Sequence, residues 1–320
     1  MKDGDMQRTV SGPGHVVVAI VAFRNADDIK RCLTALSRST YPNFSVYVCE
    51  NGGGEAFRRL CDETPERLPS GQRVIRIDAG DNLGYAGGVN RCLKEADPHY
   101  KAVWVLNPDT EPQPEALEAL LRRLDKGDVD AVGGVITWNE DVVQSYGGLW
   151  RPWLGIGASM GMFSKVDAPI DAAAIERRLG FLSGASMLVS ARFIEVAGLM
   201  RDDYFLYAEE VEWCLRARQK GMRLGFTPDA RVLHHLGTTT GWSGADFRKW
   251  PRLPIYLDAR NRVRMTAQLM PLHLPTAVVG ILLHSLWRYA RRGAWRQVGY
   301  VLQGVVAGLR GEAGRPAWVK

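Results

Sequence analysis

Residues 103–110 read Val-Trp-Val-Leu-Asn-Pro-Asp-Thr, a short apolar run that stops at a carboxylate, Asp109. The run has the length and β-branched content of a buried strand, and Pro108, which cannot donate to a sheet ladder, marks its end. Ligands of open α/β sheets bind just outside the carboxyl ends of the strands. Asp109 therefore stands where a cation or a ligand hydroxyl would be held, although a strand-end Asp taken alone is more often a turn former or a helix cap.

Working outward, apolar runs at 16–23, 44–49, 74–77 and 102–106 alternate with helical spacing at 27–37 and 85–96. That repeat predicts an α/β protein built on a parallel, doubly wound sheet, whose strands are buried on both faces and so read as nearly continuous apolar runs. A helix from Pro114 to about Leu124 and a strand at 131–137 follow. Residues 181–190 read as strand, 209–220 as helix, and 223–226 and 231–234 as two short strands. The Gly- and Trp-rich stretch 138–163 reads as irregular.

A chain of 320 residues, 46% hydrophobic and 24% charged, buries a large core and has the balance of a soluble globular protein. Its five cysteines (Cys32, Cys49, Cys61, Cys92, Cys214) are odd in number, scattered and without a Cys-x-x-Cys pair, which points to buried thiols in a reducing compartment. The run from Val16 to Phe23 follows Asp3 and Asp5 and has no small-residue cleavage site, so it reads as a first strand, not a signal peptide. Residues 251–320 hold eleven Lys and Arg against Asp258 and Glu312, a surplus of nine, so residues 1–250 carry −3 of the overall +6. An acidic body with a basic tail argues against a nucleic-acid binder and for a tail that faces an anionic surface.

Three further clusters carry chemistry. Phe23, Arg24 and Asn25 follow the first strand, and Glu50 and Asn51 follow the second; polar strand ends side by side suit a nucleobase and ribose. The segment Asn82-Leu-Gly84-Tyr-Ala-Gly87-Gly88-Val-Asn90 lets backbone approach a ligand at a helix start. It is not the dinucleotide fingerprint, because its spacing differs and it does not follow the first strand. The third is Tyr207-Ala-Glu209-Glu210-Val-Glu212 with Arg216, followed by His234-His235-Leu-Gly237. Three carboxylates in one first turn are either a well-placed acidic helix start or a cluster that tunes one of them for proton abstraction.

In this order, the clusters resemble family 2 glycosyltransferases of the GT-A fold, within their rhamnosyltransferase and galactofuranosyltransferase branch. The resemblance spans roughly residues 16–241. It implies a Rossmann-like, mostly parallel central sheet flanked by helices, with a helical C-terminal extension. It also implies an inverting hexosyltransferase of bacterial cell-surface polysaccharide synthesis. The family's metal-binding Asp-x-Asp is here Asn107-Pro108-Asp109, so the first carboxylate is missing and Asp109 becomes the main side-chain ligand for Mg²⁺ or Mn²⁺. The family's His-x-x-Gly maps onto His234 to Gly237, with His235 the neighbour if the alignment slips by one. The base position falls on Glu210, an Asp in the family, with Glu209 beside it, Glu212 as fallback and Arg216 ordering the cluster. For the donor the resemblance implies Phe23, Asn25, Glu50, Asn51, Asn82, Gly84, Gly87, Gly88, Asn90, Asn107 and Asp109, with Glu50 on the base or ribose. It favours dTDP-rhamnose, with UDP-sugars second, and a saccharide or lipid-linked acceptor.

Trp138, Trp150 and Trp153 could stack on acceptor sugars or could be local packing anchors. Trp242 and Trp250 flank a loop that could order over the donor. Residues 1–250 form the expected catalytic domain and 251–320 a basic amphipathic region. In the latter, the apolar stretch 274–287 falls short of the ~20 residues that cross a bilayer. Residues 274–309, with their arginines and tryptophans, suit a membrane surface or a cap packed on the domain or in a homodimer. The expected location is the cytoplasm, peripheral on the inner face of the cytoplasmic membrane. Two rival readings are a sugar-1-phosphate nucleotidyltransferase, whose basic glycine-rich N-terminal signature is missing here, and a catalytically silent nucleotide-sugar scaffold.

Overall fold

The computed structural model describes residues 14–235 and 246–319. Gly237 and Trp242 lie outside the described residues. Four parallel strands, β1 (Val16–Ala22), β2 (Phe44–Glu50), β3 (Val74–Asp78) and β4 (Ala102–Leu106), lie in the order β3-β2-β1-β4. Between them run α1 (Ala26–Leu36), α2 (Gly54–Glu63) and α3 (Gly84–Glu95). After β4 come the short β5 (Thr110–Pro112), α4 (Ala116–Leu124) and β6 (Ala131–Thr137).

The stretch expected to be irregular contains structure: β7 (Val143–Ser145) pairs with β6, and β8 (Gly148–Arg151) and β9 (Ile156–Ser159) form a separate hairpin. Next are α5 (Ala172–Arg178), β10 (Ser186–Ser190), α6 (Ala191–Ala197), α7 (Glu209–Gln219) and β11 (Leu224–His234). Where two short strands were expected, β11 is one, with a register shift between Phe226 and Arg231. The sheet is mixed beyond β4. β10 runs antiparallel to both β4 and β6, β6 and β11 are parallel, and β11 and β5 antiparallel.

Strand alternation divides the core in two. Val17, Ala19 and Val21 face α3 and α7 through Val89, Cys92 and Trp213, whereas Val18 and Ile20 face α1 and α4 through Ile29, Leu33 and Leu120. The cysteines are free thiols, four of them buried.

Three helices complete the chain: α8 (Arg252–Leu269), α9 (Leu274–Tyr289) and α10 (Trp295–Leu309). α8 is buried nearly all round, polar Arg260, Asn261 and Arg264 included, because it lies between the body and the α9–α10 pair. Among the described residues no helix is long and apolar enough to cross a membrane.

Candidate active site

The registers Ala22↔Glu50 and Ile20↔Leu106 bring the ends of β1, β2 and β4 to one level. Because β10 enters antiparallel at the pair Ser186↔Leu106, the residues just before it arrive at the same edge, where the Asn107 N–H donates to the Ala185 carbonyl (3.0 Å). A cleft of about 660 Å³ opens there. Phe23, Asn51, Asn82 and Gly84 line one part, Asn107, Asp109 and His234 another, and Glu209 and Glu210 a third.

β11 ends by pairing His234 with Thr110, which sets the imidazole beside Asp109, Nε2 to Oδ1 3.2 Å. Both residues are buried. His234 Nδ1 lies 3.0 Å from Gln144 Oε1, and Nε2 lies beside Asp109 and 3.3 Å from Asn107 Nδ2. A carboxylate oxygen and an imidazole nitrogen converging at one cleft wall are a donor set that fits a divalent cation whose other positions go to phosphate and water oxygens. Among the described residues no third Cys, His, Asp or Glu completes a cluster. His235 points the other way along the strand and meets Glu111 (2.8 Å).

The acidic helix start rests on an unusual turn. Phe205, Tyr207 and Ala208 all have φ near +69° although none is glycine, a conformation that costs about 1–3 kcal/mol per residue and persists only where neighbours enforce it. α8 does so. The fully buried Asn261 donates from Nδ2 to the carbonyls of Tyr204 (3.0 Å), Leu206 (2.8 Å) and Tyr207 (2.8 Å), and Arg260 donates to Tyr204 (3.0 Å) and Gly314 (2.8 Å). Arg264 binds Asp203 through its carbonyl and carboxylate. From the other side the Tyr85 N–H donates to the Phe205 carbonyl (2.8 Å). Gly84, at φ +72°, permits this approach, since a Cβ there would overlap that same carbonyl oxygen.

The turn delivers Glu209 and Glu210 to the cleft. Burial, with Glu210 beside it, holds Glu209 well above the usual carboxylate range. Burial also raises Glu210, against hydrogen bonds from the backbone N–H groups of Glu210 and Val211. Two adjacent carboxyls both raised by burial at one wall can hold and exchange a proton.

Several expected site residues stand elsewhere. Glu50 is 1% exposed and turns inward; its Oε1 accepts from the N–H groups of Arg24 (3.0 Å) and Gly52 (2.6 Å), so it shapes the strand-end turn. Asn25 accepts from the Phe23 N–H (2.9 Å) at the start of α1. Gly88 packs on Val21, Gly87 on Leu83, and Asn90 donates to the Met200 carbonyl (2.8 Å), so all three serve helix packing outside the cleft. Glu212 is fully buried in a bidentate ion pair with Arg216 (2.7 and 3.0 Å), which in turn binds the carbonyls of Ala197 and Leu199. That pair anchors α7 to α6 and does not reach the cleft.

The tryptophans are also outside it. Trp138 tilts against Phe163, Trp150 packs beside Tyr204 and Met265, and Trp153 is exposed on the β8–β9 turn. Trp250 is buried against Phe247 and Tyr289. The sequence reading missed Tyr85, whose hydroxyl donates to the Gly184 carbonyl (2.9 Å), and the Ser183–Ala185 wall. It also missed Pro251, Leu253, Pro254 and Val319, which bring the C-terminal region to the cleft.

Comparison with known proteins agrees with this architecture. The profile described as Glycosyltransferase like family 2 matches residues 13–250. The chain is 22% identical over 312 residues to the low-salt glycan biosynthesis hexosyltransferase Agl10 of Haloferax volcanii, covering 93% of this chain and 92% of that one. Over 243 residues it is 27% identical to the N-acetylglucosaminyl-diphospho-decaprenol L-rhamnosyltransferase of Mycobacterium tuberculosis, covering 70% and 77%. Among solved structures, the mannosyltransferase PcManGT of Pyrobaculum calidifontis, determined with GDP-Man and Mn²⁺, superposes with a TM-score of 0.57 at 15% identity over 93% of this chain and 87% of its own. With most of its length matched and a GT-A-type sheet carrying the cleft, the chain belongs to glycosyltransferase family 2.

Proposed function

We propose that the protein is an inverting glycosyltransferase that moves a sugar from a nucleoside-diphosphate donor to a saccharide or lipid-linked acceptor. The observation that carries this reading is that Glu210 and the Asp109–His234 pair line the same cleft, together with the strand ends Phe23 and Asn51. Rhamnose from a dTDP donor is the favoured sugar, with UDP-sugars second; a rhamnosyltransferase and a hexosyltransferase among the relatives support that range.

Phe23 and Asn51 bind the nucleoside at the ends of β1 and β2, and Asn82 and Gly84 approach the donor at the start of α3. Asp109 and His234 would hold Mg²⁺ or Mn²⁺, which when bound neutralises charge on the diphosphate. Glu210 accepts the proton of an acceptor hydroxyl. That oxygen bonds to the anomeric carbon from the face opposite the leaving group, the bond from the anomeric carbon to the diphosphate oxygen breaks, and the nucleoside diphosphate departs. A base at this position contributes about 10²- to 10⁴-fold, so Glu210→Gln lowers turnover at least that much while nucleotide binding survives. The test is nucleoside diphosphate release from a panel of dTDP-, UDP- and GDP-sugars, with and without Mn²⁺ or Mg²⁺. Metal-dependent release from one donor names it. Silence with every donor, together with no nucleotide binding, would leave a silent scaffold instead.

A further inference from the structure

The two outermost helices present an apolar surface that no other described residue covers. On α9 the residues Val279, Leu283, Leu286 and Trp287 follow helical spacing, and Leu283 and Trp287 are 61% and 59% exposed. On α10 the stripe is Trp295, Leu302, Val306 and Leu309, with Trp295 65% exposed. The opposite faces of both helices are committed inward: Ile281, Val301 and Val305 pack with Val263 of α8. These outward stripes are therefore surplus to folding. Exposed apolar surface of this extent marks an interaction site.

Charge identifies the occupant. Between Asp258 and Glu312 the chain contains no Asp or Glu, whereas Arg288, Arg291, Arg292, Arg296 and Arg310 lie on or beside these helices. Arg291, Arg292, Arg296 and Arg310 are exposed. Arg291 lies 3.8 Å above the Trp287 ring, and Arg296 donates to the Tyr300 hydroxyl (2.6 Å), so the cations border the apolar stripes. A second copy would set the same face against itself, arginine against arginine with no acid to relieve them. An anionic lipid surface supplies the missing charge, accepts the apolar stripes and suits Trp at the boundary. With 16 residues, α9 is about 24 Å long and lies along such a surface instead of through it.

We propose that the α9–α10 face docks the protein on an anionic bilayer. This deepens the reading of a lipid-linked acceptor and rests on it only for its use. Docking itself needs no turnover.

The test is co-flotation of the whole chain with phosphatidylcholine vesicles made with or without phosphatidylglycerol, at low and high salt. Binding is expected only where phosphatidylglycerol is present, and it weakens with salt. Each arginine near an anionic surface contributes about fivefold, so Arg291→Gln, Arg292→Gln and Arg296→Gln together lower affinity about a hundredfold. Leu283→Ser with Leu286→Ser lowers it at least tenfold, and both variants keep the wild-type melting curve because the side chains are exposed. Failure of the wild-type chain to float would overturn the proposal. So would unchanged binding of the leucine variant, or a wild-type dimer that those same leucine changes dissociate. Donor hydrolysis measured without vesicles reports the catalytic reading separately, so either can fail alone.

Discussion

Asn261→Ala separates the brace of the strained turn from the chemistry the turn carries. Asn261 donates to three carbonyls, and the Tyr204 carbonyl keeps Arg260 when it is lost, which strands the Leu206 and Tyr207 carbonyls. Each lost hydrogen bond to a half-buried carbonyl costs about 1–3 kcal/mol, so the substitution destabilises the fold by about 2–6 kcal/mol and lowers Tm by roughly 3–9 °C. The larger consequence is local. Three residues in the left-handed region relax once unheld, and displacement of a reacting group by about 1 Å costs on the order of 10²-fold. Turnover with donor and acceptor should therefore fall by at least tenfold, while the donor KM, set at the strand ends, stays within a few-fold. Val263→Ala is the matched control. It is equally buried on α8 but packs in the outer cluster, so it lowers Tm without a matching loss of kcat. A full loss of Tm in Asn261→Ala with kcat unchanged would show that the turn holds itself, and would refute Asn261 as a positioning residue.

Glu209→Gln reports the buried carboxyl. Its folded pKa lies above the ordinary 4.5, so the native state keeps a proton that the unfolded chain releases, and stability drains away as pH rises from 4.5 through the folded value. The variant should melt higher than wild type at pH 7, with the gap closing toward pH 4; a gap independent of pH would mean Glu209 is not the group responsible. Gly84→Ala forces a Cβ onto the Phe205 carbonyl at φ +72°, costing at least about 1–2 kcal/mol from the backbone alone; a lowered Tm and a raised donor KM are expected, and wild-type values for both would remove Gly84 from the site. Asp109→Asn should abolish the metal dependence of donor binding by calorimetry while metal-free nucleotide binding persists, and an unchanged metal response would move the cation elsewhere.

Much of the sheet is legible because β1, β2, β4 and β6 are buried on both faces and read as unbroken apolar runs. The antiparallel entry of β10 is not, since its direction depends on partners about eighty residues earlier. α2 went unread although Phe57, Leu60 and Cys61 keep helical spacing; its opening Gly52-Gly53-Gly54 reads as loop, and Leu60 is its one buried residue. β11 reads as two strands because Thr227, Pro228 and Asp229 interrupt its apolar pattern at the register shift. At the site, Asp109, Glu210 and His234, read from their places at strand and helix ends, line the cleft. Glu50, Gly87, Gly88 and Asn90 do not line it, because a motif fixes where a residue stands but not which way it faces. Asn261 left no trace: a lone Asn inside a helix reads as surface until its three carbonyl partners are known.

The same brace sets an order of events during synthesis. Glu209 and Glu210 open α7, yet the turn that aims them is held by α8, and Gly314 closes on Asp203 and Arg260 from beyond α10. A nascent chain that has finished β11 already owns its sheet and its strand-end residues but cannot yet aim Glu210. The ribosome must deliver the three last helices before the proposed transfer can take place. A gene fragment cut at residue 250, where the family match ends, would then yield a protein able to hold donor without transferring it.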